Sequence, residues 1–311
     1  MSEGHTSVLL SEALSTLEIA PDDVVLDATV GGAGHFSAML SALSPEGTLI
    51  GIDADSEAIE RAQTVLASQE ELVKPRTFLR QENFRHLGKV LDELNIPVIS
   101  KSLFDLGWSG YQLSRGRGFS FQNDEPLLMT YASAEHHAET TLPTAADVVN
   151  GTPEENLANI LYEFGEEQFS RKIAKAIVEH RRRERILTTF QLVEVIKKGT
   201  PGWYHRRRLH PATKTFQALR IYVNDELGAL REGLETAITR TRSEGRIVVI
   251  TFHSIEDRIV KNLFRDAAEN KLGIVLTKKP LVPSAEELKK NSRARSAKLR
   301  VFECSEAQSR S

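Results

Sequence analysis

Apolar residues at the start of the chain cluster in short runs that alternate with longer amphipathic segments. Apolar runs bounded by turn residues predict buried strands. These predicted strands lie at 24–28, 48–52, 76–79 and 102–104. Between them, the pattern predicts helices over 35–43 and over 56–69, the second capped by Ser56. Alternating strands and helices predict a Rossmann-like α/β fold, with helices on both faces of a parallel sheet.

The pattern changes from about residue 111 to Pro211, where helices are expected and no buried strand is predicted. Its predicted helices lie at 153–164 and 166–184. The elements predicted after Pro211 are a long helix at 213–240, a strand at 246–252, a helix at 256–270, and strands at 274–278 and 297–303. We therefore predict three segments: a first part of the sheet domain, an inserted helical substrate-binding domain, and a second part of the sheet domain, at 1–110, 111–211 and 212–311.

The composition is 40% hydrophobic and 27% charged, without an apolar stretch near 18 residues, which is typical of a protein that does not enter a membrane. The single cysteine, Cys304, excludes an internal disulfide and a cysteine-based zinc site, and no metal is predicted. Residues 1–5 lack the basic and apolar regions of a signal peptide. We therefore expect a cytoplasmic protein.

Charge is distributed unevenly along the chain. Residues 1–100 carry 6 Lys and Arg against 16 Asp and Glu, whereas the remainder carries 34 against 27. Basic clusters stand at 180–183, 205–208 and 289–300. Such clusters fit a polyanionic partner such as nucleic acid, but solvated helix faces explain them equally well.

A glycine-rich turn follows the first predicted strand, over 27–35. Gly31 and Gly34 carry no side chains, so the backbone can approach a ligand closely. Asp53 ends the next strand about 20 residues further on, where a carboxylate can accept both ribose hydroxyls of a nucleoside. A tight turn without a ligand is the alternative for the glycines alone. Together with Asp53, they favour a cofactor that contains adenosine.

Two features favour S-adenosylmethionine over NAD as that cofactor. The dinucleotide fingerprint Gly-x-Gly-x-x-Gly, begun at Gly32, ends here in Ser37 instead of glycine. Asp27, which ends the first strand, would repel a pyrophosphate but would attract the ammonium group of a methionine moiety.

Candidate catalytic residues follow two later strands. Asp105 ends the fourth strand at the same edge of the sheet as the glycine turn, where it could hold the cofactor or accept the proton of a substrate amine. His253 follows the strand at 246–252 and is the second candidate, with a structural role as its alternative. Ser254 fits the N-cap of the next helix, with Asp257 completing a capping box.

Residues 113–121 interleave cations with aromatic rings. Arg115 and Arg117 beside Phe119 fit neutralisation of an RNA backbone together with stacking of its bases. The equal alternative is a loop that its phenylalanines anchor to the body of the protein. Trp108 is a further aromatic candidate, since a base extruded for modification needs a stacking partner.

These segments also carry a resemblance to a known family. From His5 to Arg300 the chain resembles the bacterial ribosomal RNA small-subunit methyltransferase H family, also called MraW. The most specific motifs are Gly-Phe-Ser-Phe at 118–121, His-Pro-Ala-Thr-Lys-Thr-Phe-Gln-Ala-Leu-Arg at 210–220, and Phe-His-Ser-Ile-Glu-Asp-Arg at 252–258. The resemblance implies S-adenosylmethionine-dependent N4-methylation of a cytidine in the decoding region of small-subunit ribosomal RNA. It also implies a helical module inserted in the cofactor domain, and a homodimer.

The resemblance also implies a set of cofactor-binding residues. By position, these are Ala33, Gly34, His35, Asp53, Phe84 beside the adenine, Asp105 and Gln112. Ala33 stands where the family usually has glycine, and its methyl group is tolerable if φ is negative and a weak point if φ is positive. The family's Pro-Leu-Asp-Met-Arg-Met-Asp is Pro-Leu-Leu-Met-Thr-Tyr-Ala here, at 126–132.

Three other functions stay open at this point. A methyltransferase with a different nucleic-acid acceptor is the first, because two carboxylates and one arginine are replaced at 126–132. The second is a non-catalytic RNA-binding or ribosome-assembly protein that has kept the cofactor fold, and the third is an NAD-dependent oxidoreductase.

Overall fold

The computed structural model describes residues 7–68, 74–107, 116–131 and 143–305. The chain divides into two compact units. The sheet unit comprises Met1–Ser109 and Leu227–Ser311, and the helical unit comprises Gly110–Glu226. Among the described residues, no helix is long and apolar enough to cross a membrane.

The described strands of the sheet unit form one sheet of seven strands. They are β1 (Val24–Asp27), β2 (Thr48–Asp53), β3 (Arg76–Gln81), β4 (Ile99–Asp105), β5 (Thr241–Thr251), β6 (Gly273–Val275) and β7 (Lys298–Cys304). Their order is β3-β2-β1-β4-β5-β7-β6. Strands β1 to β5 are parallel to one another, and β7 is antiparallel to both β5 and β6. The α/β fold class is thus confirmed, and the strand order reverses direction between β1 and β4.

Both faces of this sheet are buried, which explains why its central strands are continuous apolar runs. Neighbouring residues of one strand point to opposite faces. One apolar cluster therefore contains Leu26, Ile50, Phe104 and Val249. The other contains their sequence neighbours Val25, Leu49, Leu103 and Val248.

Helices cover these faces and connect the strands. In the sheet unit they are α1 (Leu10–Leu17), α2 (Gly34–Ala42), α3 (Ser56–Ala67), α4 (Leu87–Glu93), α11 (Glu226–Arg240), α12 (Ser254–Glu269) and α13 (Ala285–Lys290). In the helical unit they are α5 (Ala145–Gly151), α6 (Glu154–Gly165), α7 (Ser170–Arg181), α8 (Thr189–Gly199), α9 (Gly202–His205) and α10 (Thr213–Asn224).

The predicted helix at 213–240 is wrong as a single element, because it is two helices, α10 and α11. Asp225 separates them with φ 45°, in the left-handed region. Aspartate adopts this conformation more readily than most residues, so it ends the first helix at low cost.

The helical unit also extends further than the predicted boundary at 211. Phe216 and Leu219 of α10 are buried in the apolar core of this unit, together with Leu161 of α6 and Ile177 of α7. Because α10 packs into that core, the boundary lies at Glu226. Pro211 ended the pattern in the sequence, but packing decides where the unit ends.

Candidate active site at the strand ends

Three aspartates end three adjacent strands of the sheet. Asp27, Asp53 and Asp105 are the last residues of β1, β2 and β4, which pair in the order β2-β1-β4. The carboxyl ends of parallel strands lie at one edge of a sheet, and the crevice forms where the strand order reverses. The predicted carboxylates are therefore brought together at the place where α/β proteins bind their ligands.

Asp53 is fixed by two backbone groups. Its Oδ2 accepts a hydrogen bond from the Gly31 N–H at 2.8 Å, and its Oδ1 accepts one from the Asp55 N–H at 2.9 Å. Burial raises the pKa of Asp53 to about 6. Each carboxylate oxygen has about two acceptor sites, so both can still accept a ribose hydroxyl. Asp55 also caps α3, so the predicted cap by Ser56 is wrong.

The glycine turn follows β1 and leads into α2. Gly31 and Ala33 both have positive φ, at 50° and 61°. Ala33 is therefore a weak point of the turn, because its left-handed backbone costs an alanine roughly 1–2 kcal/mol. Gly34 admits no side chain without a shift, because a Cβ there would lie 2.0 Å from Ser7 Oγ. Arg61 donates to the Gly31 carbonyl at 3.0 Å and holds the turn against α3.

Asp27 is fully buried and only partly satisfied. Its Oδ1 accepts a hydrogen bond from the Thr29 N–H at 3.1 Å, while its Oδ2 has no hydrogen-bond partner. Burial raises the pKa of Asp27 to about 7, although the charge of His35 opposes this rise. A buried carboxylate oxygen without a partner is costly, so Asp27 would gain from a donor that a ligand supplies.

Asp105 is held between two elements. Its N–H donates to Thr29 Oγ1 at 2.7 Å, and its Oδ1 accepts from the Gly107 N–H at 3.1 Å. Its Oδ2 lies 3.4 Å from Nδ1 of His35, a buried residue in the first turn of α2. Burial alone would lower the pKa of His35, but Asp105 and Asp27 raise it above the usual value. The two acidic neighbours therefore favour the protonated form of His35.

Thr29 is a positioning residue that the sequence analysis missed. It bonds to both aspartates, through its N–H to Asp27 and through its hydroxyl to the backbone of Asp105. Its position two residues after a strand-ending aspartate was the available signal, because Asp side chains commonly accept from the N–H two residues on.

Phe84 lies after β3, in a short 3-10 helix at Phe84–His86. Its ring meets Phe104 of β4 edge to face, with centroids 5.7 Å apart. Gly233 of α11 makes room for this ring, because a Cβ there would lie 2.7 Å from Phe84 Cδ2. Its contact with adenine stays a prediction.

His253 is the N-cap of α12. Its ring nitrogen Nδ1 accepts from the Glu256 N–H, and the Glu256 carboxylate accepts from the His253 N–H, both at 3.3 Å. The predicted capping box of Ser254 and Asp257 is therefore wrong by one residue. Asp257 instead pairs with Arg300 at 2.7 Å and Lys298 at 2.9 Å. These contacts favour the structural interpretation of His253, and its catalytic role stays a prediction.

Arg117 and Phe119 lie in the helical unit and both contact Tyr131. Arg117 donates to the Tyr131 carbonyl at 2.9 Å, and the Phe119 and Tyr131 rings stack with centroids 6.1 Å apart. Tyr131 in turn donates its hydroxyl to Glu226 at 2.7 Å. These contacts agree with the anchoring interpretation of the loop, while RNA binding by Arg117 and Phe119 stays a prediction. Trp108, Gln112 and Arg115 lie outside the described residues.

Two specific sequence motifs meet in the helical unit. Phe121, from the motif at 118–121, stacks on His210 with centroids 4.4 Å apart and meets Phe216 edge to face at 5.3 Å. His210 and Phe216 belong to the motif at 210–220. In the described part of the chain, no group of three or more His, Cys, Asp or Glu residues is arranged to hold a metal ion.

Asp27 Oδ2 lacks a hydrogen-bond donor, and nucleoside cofactors differ in whether they can supply one. A pyrophosphate offers no donor and would be repelled, whereas the methionine ammonium of S-adenosylmethionine offers one. The residues present therefore fit S-adenosylmethionine, with Asp53 available to its ribose. The class of protein is an S-adenosylmethionine-dependent methyltransferase.

Comparison with known proteins gives the family. Residues 2–305 match the MraW methylase family, and the chain belongs to this family. It is 43% identical over 320 residues to a protein of Brevibacillus brevis, covering 97% of this chain and 98% of that protein. A protein of Syntrophotalea carbinolica is 44% identical over 314 residues, covering 96% and 97%. Both relatives are named ribosomal RNA small subunit methyltransferase H.

Proposed function

We propose that this protein transfers a methyl group from S-adenosylmethionine to the 4-amino group of a cytidine in the decoding region of small-subunit ribosomal RNA. The observation that carries this proposal is the fixed carboxylate of Asp105 at the strand ends, together with relatives named for small-subunit ribosomal RNA. The choice of cytidine N4 comes from the family resemblance of the motifs.

The cofactor would be held by the two aspartates on either side of the glycine turn. Asp53 would accept hydrogen bonds from the ribose hydroxyls. Asp27 Oδ2 would accept one from the methionine ammonium, which would supply the hydrogen-bond partner that this oxygen lacks. When bound, S-adenosylmethionine supplies a methyl group that is already electrophilic. The protein therefore needs to position the acceptor and to stabilise the charge that develops on it.

Asp105 would act on the acceptor amine. The exocyclic amine of cytosine is a weak nucleophile, because its lone pair is delocalised into the ring. As the amine attacks, positive charge develops on its nitrogen, and a nearby carboxylate stabilises that charge by accepting an N–H. Asp105 is suited to this role because His35 and the Gly107 N–H hold its carboxylate in one orientation.

The direct test is methyl transfer from radiolabelled S-adenosylmethionine to small ribosomal subunits that lack the modification, followed by nucleoside analysis. We expect label in N4-methylcytidine. Label in another nucleoside would contradict the proposed acceptor. Tight cofactor binding without transfer to subunits or to free ribosomal RNA would contradict the enzymatic role and favour a non-catalytic RNA-binding protein.

A further inference from the structure

A shallow cavity of about 430 Å³ opens on the helical unit between the end of α6 and the start of α7. Its lining residues are Ala158, Asn159, Tyr162, Gln168, Phe169, Ser170, Arg171 and Lys172. This lining includes two cations and no carboxylate. Its charge therefore suits an anion.

Exposed aromatic rings lie at the rim of this cavity and next to it. Tyr162 on its rim is 64% exposed, and Trp203 of α9 is 52% exposed. Phe169 connects the cavity to α9, because its ring meets Trp203 at a centroid distance of 5.7 Å and Tyr204 at 5.0 Å. Exposed apolar rings that lie together are typical of a binding surface, whereas rings exposed singly need no explanation.

A buried carboxylate holds two residues beneath the exposed rings, Phe169 and Tyr204. Glu167 is fully buried, and its Oε2 accepts from the Tyr204 hydroxyl at 2.7 Å while its Oε1 accepts from the Phe169 N–H at 2.9 Å. Burial and Glu167 together raise the pKa of Tyr204 well above its ordinary value, so the hydroxyl stays a donor. Trp203 thus packs against two rings that are already fixed, which lowers the conformational entropy that its ordering would cost on binding.

Cations stand over the same rings. Lys172 Nζ lies 5.7 Å from the centre of the Phe169 ring, and Arg207 Cζ lies 5.3 Å from that of Tyr204. No carboxylate of the described chain forms an ion pair with Lys172 or Arg207. Arg206 and Arg208 flank Arg207 in sequence. The positive charge is thus available to a partner.

We propose that Tyr162, Phe169, Lys172 and Trp203 form a binding surface for single-stranded RNA, here named the aromatic surface. Bases would stack on the exposed rings of Tyr162 and Trp203, and phosphates would pair with Lys172 and Arg207. This inference rests on the proposed function, because it assigns a contact with the RNA acceptor. Free cations among exposed rings favour RNA over a second copy of this chain, which would have to bring carboxylates of its own.

The first test compares full-length variants with matched controls in the methyl-transfer assay on small subunits. Trp203→Ala removes a ring of the aromatic surface, and Phe190→Ala removes a similarly exposed ring, 44% exposed, on α8. Lys172→Gln and Lys175→Gln form the matched pair for charge, since Lys175 is one turn away and pairs with Glu179. We expect the surface variants to raise KM for the RNA roughly 10- to 100-fold and the controls to change it less than about twofold.

The second test observes stacking directly. The chain has two tryptophans, so in a Trp108→Phe background Trp203 is the only one. Titration with a single-stranded oligoribonucleotide should quench its fluorescence, and Lys172→Gln should shift the midpoint to higher RNA concentration. Unchanged fluorescence at saturating RNA would overturn the proposal.

The outcomes separate this inference from the proposed function. If wild-type protein methylates subunits but Trp203→Ala and Lys172→Gln behave like their controls, the aromatic surface is wrong and the function stands. If wild-type protein transfers no methyl group while the oligoribonucleotide quenches Trp203, the surface stands and the function is wrong. If Trp203→Ala instead changes the sedimentation coefficient of the free protein, a second copy covers the surface and the RNA proposal is overturned.

Discussion

The strand ends of the sheet unit and the aromatic surface of the helical unit use opposite arrangements of charge. At the strand ends, carboxylates face the proposed ligand and are fixed by backbone N–H groups. On the aromatic surface, the carboxylate of Glu167 is hidden beneath, and rings and cations face outward. As proposed, the first arrangement would recognise one small ligand by directed hydrogen bonds, and the second would accept many different bases of a flexible polyanion. Each substitution at the strand ends should therefore have a large effect on one property, such as the rate of methyl transfer or the affinity for the cofactor.

The largest expected effect is that of Asp105→Asn on the transfer step. Asparagine keeps an acceptor for the Gly107 N–H but loses the negative charge that stabilises the developing cation. We expect the single-turnover rate of methyl transfer to fall by roughly 10²–10⁴-fold. The matched control is Asp266→Asn, an exposed aspartate on α12 that pairs with Arg265. A near-normal rate would remove Asp105 from the mechanism.

Asp27 should make stability depend on pH. Its pKa of about 7 in the folded protein lies above the ordinary 3.8, so the folded state retains a proton that the unfolded state has lost. Stability of the ligand-free protein should therefore fall as pH rises from about 4 to about 7. In Asp27→Asn this loss, roughly 4 kcal/mol for a shift of this size, should disappear. Urea unfolding at pH 5 and pH 8 measures the part of this loss above pH 5, roughly 3 kcal/mol. Equal pH dependence in both proteins would contradict the role given to Asp27.

The roles of Asp53 and Asp27 can be distinguished by comparing the binding of S-adenosylmethionine with that of adenosine. Asp53→Asn leaves one carbonyl oxygen where two carboxylate oxygens would accept the ribose hydroxyls, so calorimetry should show affinity for S-adenosylmethionine reduced roughly 10- to 100-fold. Adenosine, which has the ribose but no methionine moiety, should lose affinity by a similar factor. Asp27→Asn should weaken S-adenosylmethionine and leave adenosine unchanged. Identical effects of both variants on adenosine would refute the assignment.

The smallest expected effect tests Phe84. Gly233→Ala favours helix formation in α11 by about 1 kcal/mol but places a methyl group against the Phe84 ring. We expect affinity for adenosine to fall a few-fold as the ring shifts. Gly88→Ala in α4 is the control, because a Cβ there meets its nearest atom, on Thr236, at 3.6 Å. If both variants bind adenosine equally well, the position of Phe84 does not matter to the nucleoside.

The strand ends could be predicted from sequence because the signals are local. An apolar run that ends in aspartate and leads into glycines fixes both the element and the edge on which the side chain lies, as at Asp27 and Asp53. The alternating pattern predicted that Asp105 lies at the same edge, but the strand order that brings it beside Asp27 is known only from the structure. The N-cap at His253 was missed because histidine is an uncommon cap and Ser254 is a preferred one.

The aromatic surface could not be predicted in the same way. The hydrogen bond beneath this surface joins Glu167 and Tyr204, which are 37 residues apart. Elsewhere in the helical unit, the hydrogen bond between Tyr131 and Glu226 joins residues 95 apart. Neither pair leaves a periodic signal, because their contact depends on how separate helices pack. The prediction that the helical unit ends at residue 211 failed for the same reason, because Phe216 is buried by residues on other helices.

A crystal structure of the protein with S-adenosylmethionine would show whether the aspartates hold the cofactor. We expect the Asp53 carboxylate to lie within hydrogen-bonding distance of the ribose hydroxyls, and the methionine ammonium to donate to Asp27 Oδ2. A bound nucleoside whose ribose lies away from Asp53, with Asp27 still lacking a partner, would contradict this expectation.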